Sequence, residues 1–263
     1  ILPPSIAVRD IARHIKDEDL NAIVDSHLHI RKLSPLPKDE HIELPDIVVS
    51  DKGKRFHEAV SDLNGLVVVA AFEYEISGTL DALGLRQSGT EEIPAICSRK
   101  GVSWLCRKAC EYEANFSGWL PRSIQMENHA FDWIDPDDLA LARSRLRKEL
   151  SALSGNLRFE VEAEEELSID DQKCRLRGRA DIVAASSISE SSNTGGIESI
   201  WEIKFVSQLS YQHAIQACAY AYLLKLPSII LYNVRDGEKW EITPRDGQEG
   251  LRRMIESALR LKY

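Results

Sequence analysis

The sequence predicts an α/β fold in which helices flank a mixed β-sheet. One observation is a series of leucines at helical spacing after Asp135-Pro136, a dipeptide that is typical of a helix start. A second is the alternation of apolar and polar residues over 157–164 and 173–184, which predicts two half-buried strands. A third is the order of the elements, which predicts a meander of strands followed by a helical crossover.

The first predicted helix covers 136–153, and the Ser-Gly-Asn tripeptide that follows it ends the helix. Each of the next two strands should carry its apolar residues on one face, because side chains alternate along a strand. The residues expected on one face of the first strand are Leu157, Phe159, Val161 and Ala163. Those expected on one face of the second are Cys174, Leu176, Gly178, Ala180 and Ile182.

The rest of this half is predicted to contain a third strand, a helix, a fourth strand and a terminal helix. Their expected ranges are 200–206, 209–224, 229–234 and 250–262. Asp236-Gly237 is a turn signal after the fourth strand. The segment 186–199 is rich in Ser and Gly and is predicted to be a flexible hairpin insertion.

We expect two domains: an N-terminal accessory region of mixed helix and strand over 1–130, and a core over 131–263. Within the first region the pattern predicts an amphipathic helix near Ile6–Ile15 and a helix around Val102–Ala114. The apolar run 65–72 is compatible with a buried strand or a buried helix, since periodicity does not separate the two.

Composition bounds the class of protein. The chain has 263 residues and a formal net charge of -9, which argues against a broadly basic nucleic-acid-binding surface. Phosphate binding depends on local cations, however, and a site for divalent cations needs surplus carboxylates. No apolar run reaches the roughly 18 residues that span a bilayer, so no membrane association is expected. The sequence does not indicate an oligomeric state.

The five cysteines are an odd number and predict reduced thiols in an intracellular protein, without distinguishing nucleus, mitochondrion and cytoplasm. Cys106 and Cys110 have helical spacing and could begin a metal site with Cys97, but no fourth ligand follows. The chain begins with Ile1 rather than Met, which is typical of a piece of a longer chain.

Three charged residues on predicted neighbouring strands are the candidates for a metal-binding and catalytic site. Asp181 lies near the end of the second strand, and Glu202 and Lys204 share one face of the third. Two carboxylates at one place would suit Mg²⁺ or Mn²⁺, and such a metal activates water for attack on a phosphodiester. The alternative is that the three residues face solvent as cross-strand ion pairs.

On the following helix Gln216 and Tyr220 share one face. The series Gly178-Arg-Ala-Asp181-Ile, Glu202-Ile-Lys204 and Gln216-Ala-Cys-Ala-Tyr220 resembles the motifs of RecB-type nucleases in the PD-(D/E)XK superfamily. The resemblance covers about a hundred residues. It implies a restriction-endonuclease-like αβββαβ core with a mixed central sheet, preceded by an N-terminal α/β extension.

The resemblance also implies an activity and the roles of individual residues. The protein would be a Mg²⁺- or Mn²⁺-dependent deoxyribonuclease, either an exonuclease or an enzyme directed at single strands, acting on DNA rather than RNA and in some cases beside a helicase or another DNA-processing partner. Asp181, Glu202 and the backbone carbonyl of Ile203 would bind the metal, and Lys204 would be the catalytic lysine. Gln216 and Tyr220 would contact the substrate or orient the site.

No iron–sulfur cluster is expected, because the last cysteine, Cys218, lies inside the Gln216–Tyr220 helix rather than after it. Many relatives have one more metal ligand. The sequence leaves three candidates for it, namely Glu149, Glu160 and Glu162.

A row of cations leads along the second strand to Asp181 and ends in Arg177 and Arg179. These residues are expected to bind the phosphate backbone. The alternative that the sequence leaves open is an exposed edge strand protected by charge.

The sequence is also compatible with two other functions. One is a catalytically silent nuclease-like scaffold that binds nucleic acid or protein. The other is an amidohydrolase-type metal hydrolase, because Asp25-Ser-His27-Leu-His29 resembles the first-strand metal motif of those enzymes. The chain lacks the repeated strand–helix units of their barrel, so His27 and His29 are expected to be ordinary cap or loop residues.

Overall fold

In the computed structural model the described residues are 1–45, 47–49, 57–85, 93–185 and 198–263. The helices within these ranges are α1 (Asp17–His27), α2 (Ser61–Ser77), α3 (Arg99–Ser117), α4 (Pro121–Met126), α5 (Pro136–Leu150), α6 (Tyr211–Leu224) and α7 (Gly247–Lys262). The strands are β1 (Ser5–Ala7), β2 (Leu28–Leu33), β3 (Ile47–Val49), β4 (His57–Ala59), β5 (Leu157–Ile169), β6 (Gln172–Ala185), β7 (Glu198–Lys204), β8 (Ser228–Asn233) and β9 (Lys239–Pro244).

A mixed sheet forms the centre of the molecule. Its strand order in the described chain is β1-β6-β7-β8-β9-β2, and β5 pairs with β6 as well. The β1–β6 and β7–β8 pairs are parallel and the other pairs are antiparallel. Strands β3 and β4 form a separate two-stranded ladder. The predicted α/β fold with a mixed central sheet flanked by helices is therefore confirmed.

Two hydrophobic cores cover the sheet. One contains side chains of α1, α6 and α7, together with Ile200 of β7 and Leu231 of β8. The other contains side chains of α2, α3 and α5, together with Trp201 and Ile203 of β7. Alternate residues of β7 and β8 enter opposite cores, as expected for strands covered on both faces.

The predicted order of helix, three strands, helix and strand is found as α5, β5, β6, β7, α6 and β8. Helix α5 begins where expected, because the Asp135 side chain accepts a hydrogen bond of 2.9 Å from the backbone N–H of Asp137. The ambiguous segment 65–72 lies in helix α2, most of which is buried. The turn at Asp236-Gly237 leads into β9, which was not predicted.

The helix predicted near Ile6–Ile15 is wrong. The chain instead forms β1, a short 3-10 helix over Val8–Asp10 and turns. Its apolar residues are buried as predicted, but β1 pairs in parallel with β6, for example Ile6 with Leu176. A distant strand with open hydrogen-bonding groups has overridden the local helical pattern.

The predicted single apolar faces of β5 and β6 are also wrong. Leu157 and Phe159 pack in the core of α2, α3 and α5, whereas Val161 and Ala163 pack in the core of α1, α6 and α7. Between them Glu160 has a positive φ of 46°, which interrupts the alternation of side chains. On β6, Ala180 and Ile182 are likewise divided between the two cores.

The sheet extends across the predicted domain boundary at residue 130. Strands β1 and β2 come from the region predicted to be accessory, yet they pair with β6 and β9 of the predicted core. Most of the predicted hairpin insertion, residues 186–197, lies outside the described residues. Within the described residues, no helix has both the length and the apolar composition that crossing a membrane requires.

Gly178 on β6 is a position where only glycine fits. A Cβ added there would lie 2.5 Å from Cε1 of Tyr220 and 3.0 Å from Cβ of Val8. We expect Gly178→Ala to lower the free energy of unfolding by about 1–3 kcal/mol, since overpacking forces neighbours apart. Denaturant unfolding measures this.

Gly65→Ala is the matched control. Gly65 lies inside helix α2, and its added Cβ would make an ordinary contact of 3.6 Å with the Ile203 carbonyl oxygen. It should leave stability unchanged or raise it by about 0.5–1 kcal/mol. Equal stability changes for the two variants would contradict the packing argument at Gly178.

Candidate active site

The site begins where β6 and β7 stop pairing. Their ladder covers Ile182 with Trp201 and the residues beyond it, and it does not continue toward Ile203. The backbone N–H of Ile203 instead donates a hydrogen bond of 2.7 Å to Oδ2 of Asp181. The Asp181 side chain thus takes the place of a backbone hydrogen bond between the two strands, and its carboxylate is held where the strands diverge.

Glu202 and Lys204 lie on the face of β7 that is directed toward α6. Lys204 Nζ donates to Glu202 Oε1 at 2.7 Å and to Gln216 Oε1 at 3.1 Å. Gln216 Nε2 in turn donates to the hydroxyl of Tyr220 at 3.2 Å. One continuous set of hydrogen bonds therefore joins Glu202, Lys204, Gln216 and Tyr220.

Burial dominates the electrostatics of these groups. Burial and the neighbouring Asp181 raise the pKa of Glu202 to about 8, against the pull of Lys204. Burial also raises the pKa of Asp181, which Lys204 and the Ile203 N–H oppose. Burial disfavours the charged form of Lys204, but Glu202 and Asp181 outweigh it and raise the lysine pKa. The pKa shifts therefore favour the charged form of Lys204 and the protonated form of Glu202.

One oxygen of this network lacks a partner. Glu202 Oε2 is buried and makes no hydrogen bond with any described residue. A buried carboxylate oxygen without a donor is costly, and a bound cation is one way of satisfying it. The donors beside it are oxygens, a set that suits Mg²⁺ or Mn²⁺ rather than a thiolate-bound metal. Among the described residues, no cluster of three or more His, Cys, Asp or Glu side chains is arranged to hold a metal ion.

Glu160 and Arg179 form a second buried pair beside the first. They lie 3.6 Å apart, each with a side chain only 9% exposed. Burial and the charges of Asp181 and Glu202 raise the pKa of Glu160 well above its ordinary value. Arg179 is enclosed by aromatic rings, with its guanidinium carbon 3.4 Å from the ring centre of Phe116 and 4.4 Å from that of Tyr112.

The three candidates for a further metal ligand are separated by position. Glu160 lines the same cavity as Asp181 and Glu202. Glu149 instead forms an ion pair of 2.6 Å with Lys239 and is not among the cavity-lining residues. Glu162 is exposed on β5 and also lies outside the cavity lining. The structure therefore favours Glu160 as the carboxylate nearest to the pair.

The row of cations on β6 divides into two parts. Lys173 and Arg175 form exposed ion pairs with glutamates of β5, so they are cross-strand pairs rather than free cations. Arg177 is exposed at the cavity and forms no ion pair with any described residue. The interpretation of β6 as a protected edge strand is wrong, because β5 pairs along one side of it and β1 and β7 along the other.

One cavity of about 810 Å³ is lined by Asp181, Glu202, Lys204, Gln216, Tyr220, Glu160, Arg177 and Arg179. Segments far apart in sequence supply its walls: the chain around the 3-10 helix Val8–Asp10, the start of α2, the end of α3 and the first turns of α6. Arg9 and Arg122 in these walls are paired with Glu113 and Asp62. Trp119, which is 52% exposed, lies at the same cavity.

Sequence reasoning did not place His213 at the site. It lies in the first turn of α6 and lines the cavity beside Lys204 and Gln216. The signal was present as Ser210-x-x-His213, since a polar residue three positions after an N-cap serine can form a capping box.

The amidohydrolase pattern is not formed as a strand motif. Asp25 and His27 lie in helix α1, and His29 lies on β2, so the two histidines do not share one strand face. Cys106 and Cys110 are buried on α3 in the core, while Cys97 is exposed.

No protein-family model matches this chain, and no curated protein matches it. Among solved structures, the crystal structure of SSO0001 is similar at 20% identity, with 76% of this chain and 86% of that chain covered and a TM-score of 0.33. A similarity of this size carries no argument about function.

The raised pKa of Glu202 has a consequence for stability that can be measured without a metal. The folded state holds the Glu202 proton up to about pH 8, whereas an unfolded glutamate releases it near 4.5. The stability that this group contributes is therefore fully present below its pKa in the unfolded state, near 4.5. It is lost as the pH rises through its pKa in the folded state, about 8. The wild type should lose unfolding free energy relative to Glu202→Gln between about pH 4.5 and 8, measured by urea unfolding in EDTA.

Glu166→Gln is the control, because Lys173 lowers the pKa of this exposed carboxylate instead of raising it. The wild type should show no such loss relative to this variant. If the difference in unfolding free energy between the wild type and Glu202→Gln does not change with pH, the proposed protonation of Glu202 is contradicted.

Proposed function

We propose that this protein is a divalent-metal-dependent nuclease that hydrolyses phosphodiester bonds of DNA, with a RecB-type PD-(D/E)XK core. One observation carries the proposal: Asp181, Glu202 and Lys204 meet in one cavity, where a buried oxygen of Glu202 lacks a hydrogen-bond donor among the described residues. Buried ionisable groups with shifted pKa values are costly and are concentrated at functional sites, which supports a chemical role for these three.

The order of elements supports the same core. Helix α5, strands β5, β6 and β7, helix α6 and strand β8 follow one another as the αβββαβ pattern requires. The motif residues lie on the elements that the pattern expects, with Asp181 on β6, Glu202 on β7 and Gln216 on α6.

Asp181, Glu202 and the carbonyl oxygen of Ile203 would hold Mg²⁺ or Mn²⁺. The Ile203 N–H already points to Asp181, and the N–H and C=O of one strand residue are directed to the same side. Glu160, whose carboxyl group lines the same cavity, is the candidate for a further ligand. A metal bound there supplies an activated water and a counter-charge for the phosphodiester oxygens.

Lys204 would supply positive charge and hydrogen-bond donors at the reacting phosphate. Its ammonium is charged at neutral pH because Glu202 and Asp181 outweigh the effect of burial. Gln216 Oε1 accepts a hydrogen bond from the Lys204 ammonium and so fixes the direction of its remaining N–H donors. Tyr220 holds Gln216 in place, and burial raises its pKa so that the hydroxyl keeps its own proton.

The substrate would enter along the cations of the cavity. Arg177 is unpaired among the described residues and is available to a phosphate at the entrance. Arg179 is less available, because Phe116, Tyr112 and Glu160 enclose it. Arg179 would therefore act by supporting the wall of the cavity rather than by binding phosphate from solvent.

Replacing Lys204 tests the proposed activity directly. With Mg²⁺ or Mn²⁺, the wild type should cleave single-stranded or duplex DNA, and Lys204→Ala should lower the rate by at least about 100-fold, since it removes charge stabilisation from the transition state. Lys173→Ala is the matched control, because Lys173 lies on the same sheet in an exposed ion pair. The control should cleave like the wild type.

EDTA should abolish cleavage by the wild type. A wild type that is inert toward both forms of DNA with both metals would support a catalytically silent scaffold instead. Cleavage by Lys204→Ala at the wild-type rate would also contradict the proposal.

A further inference from the structure

The side chain of His213 is held in one tautomer by the start of helix α6. The backbone N–H of Ser210 donates a hydrogen bond of 3.1 Å to His213 Nδ1, and the Ser210 hydroxyl lies 3.2 Å from the same nitrogen. A nitrogen that accepts a backbone N–H cannot carry a proton itself. The proton of the neutral imidazole must therefore be on Nε2.

Two features of its surroundings keep this imidazole uncharged, namely its burial and the nearby charge of Lys204. Burial and the positive charge of Lys204 lower the pKa of His213 to about 3. The ring stays neutral throughout the pH range in which proteins work. Its Nε2–H is thus a permanent hydrogen-bond donor that adds no charge beside the lysine.

The donor is available at the cavity. His213 lines the cavity together with Lys204 and Gln216. The hydrogen bonds of its ring to described residues are those of Nδ1 with Ser210, which leaves Nε2–H free to donate. Positions 213 and 216 are three residues apart and share one face of α6. Gln216 is already bonded to Lys204 Nζ at 3.1 Å. His213 therefore offers a second donor next to the ammonium of Lys204.

We propose that His213 binds the substrate, by donating a hydrogen bond from Nε2–H to a non-bridging oxygen of the phosphodiester held beside Lys204. This inference rests on the proposed nuclease function, and it names a substrate-binding residue that the sequence motifs do not contain. The residue binds without exchanging a proton. A general base or a metal ligand would need a lone pair on Nε2, and that nitrogen carries the proton here.

Two substitutions separate this role from the capping role of the same side chain. Glutamate and glutamine at this position both accept the Ser210 N–H, because either completes a capping box with the N-cap serine. Only glutamine also offers an N–H donor. Thermal unfolding should show that His213→Glu and His213→Gln keep the fold equally well.

The two variants should differ in catalysis. His213→Glu loses the N–H donor and sets a carboxyl group beside the phosphate, so it should lower kcat/KM for a single-stranded oligonucleotide in Mg²⁺ by at least about 10-fold. His213→Gln should stay within about threefold of the wild type. Equal kcat/KM values for the two folded variants, whether both normal or both reduced, would overturn the inference and leave the proposed function intact.

A second measurement does not depend on activity. The ¹⁵N chemical shifts of the His213 ring should show a protonated Nε2 and an unprotonated Nδ1 from pH 5 to 8. A proton on Nδ1 would overturn the inference, including in the case that His213→Glu does not fold. If the wild type cleaves no DNA, the nuclease proposal and this inference fail together.

Discussion

The hydrogen bond from the Ile203 N–H to the Asp181 carboxylate is the interaction on which the site depends. A sheet whose strands paired along their whole length would have no room between β6 and β7. Here β6 pairs with β7 only from Ile182 onward, and the Asp181 side chain accepts the hydrogen bond from the Ile203 N–H, which has no backbone partner on β6. The divergence of the two strands makes room for the cavity. The hydrogen bond fixes the Asp181 carboxylate in that cavity and satisfies the backbone N–H at the edge of β7. Structure and proposed chemistry therefore share one constraint.

Other unusual features lie around this divergence. Glu160 adopts a positive φ in β5 and brings its carboxyl group to the cavity, a conformation that costs a non-glycine residue about 1–2 kcal/mol. Gly178 lets Tyr220 approach β6 closely, and Tyr220 supports Gln216, which holds Lys204. Strain, close backbone approach and buried charge are thus concentrated at one place, as is common at functional sites.

The sequence predicted this region well because its signals are local. Period-two alternation located β6 and β7 and put Glu202 and Lys204 on one face of β7, and helical spacing located α6, but the single apolar face predicted for β6 was wrong. The β1–β6 pairing was not predictable, because Ile6 and Leu176 are far apart in sequence and the segment itself has a helical pattern. The reversal at Glu160 depends on a backbone dihedral angle that no side-chain pattern encodes. The tautomer of His213 depends on the exact cap geometry at Ser210.

The central claim is that Asp181 and Glu202 form a cation site. The most direct test is a crystal of the protein soaked in Mn²⁺, with anomalous scattering recorded to locate the metal. The account predicts a manganese peak bound by the carboxylates of Asp181 and Glu202 and by the carbonyl oxygen of Ile203. A crystal with no manganese at these residues, or with manganese only at exposed carboxylates elsewhere, would contradict it.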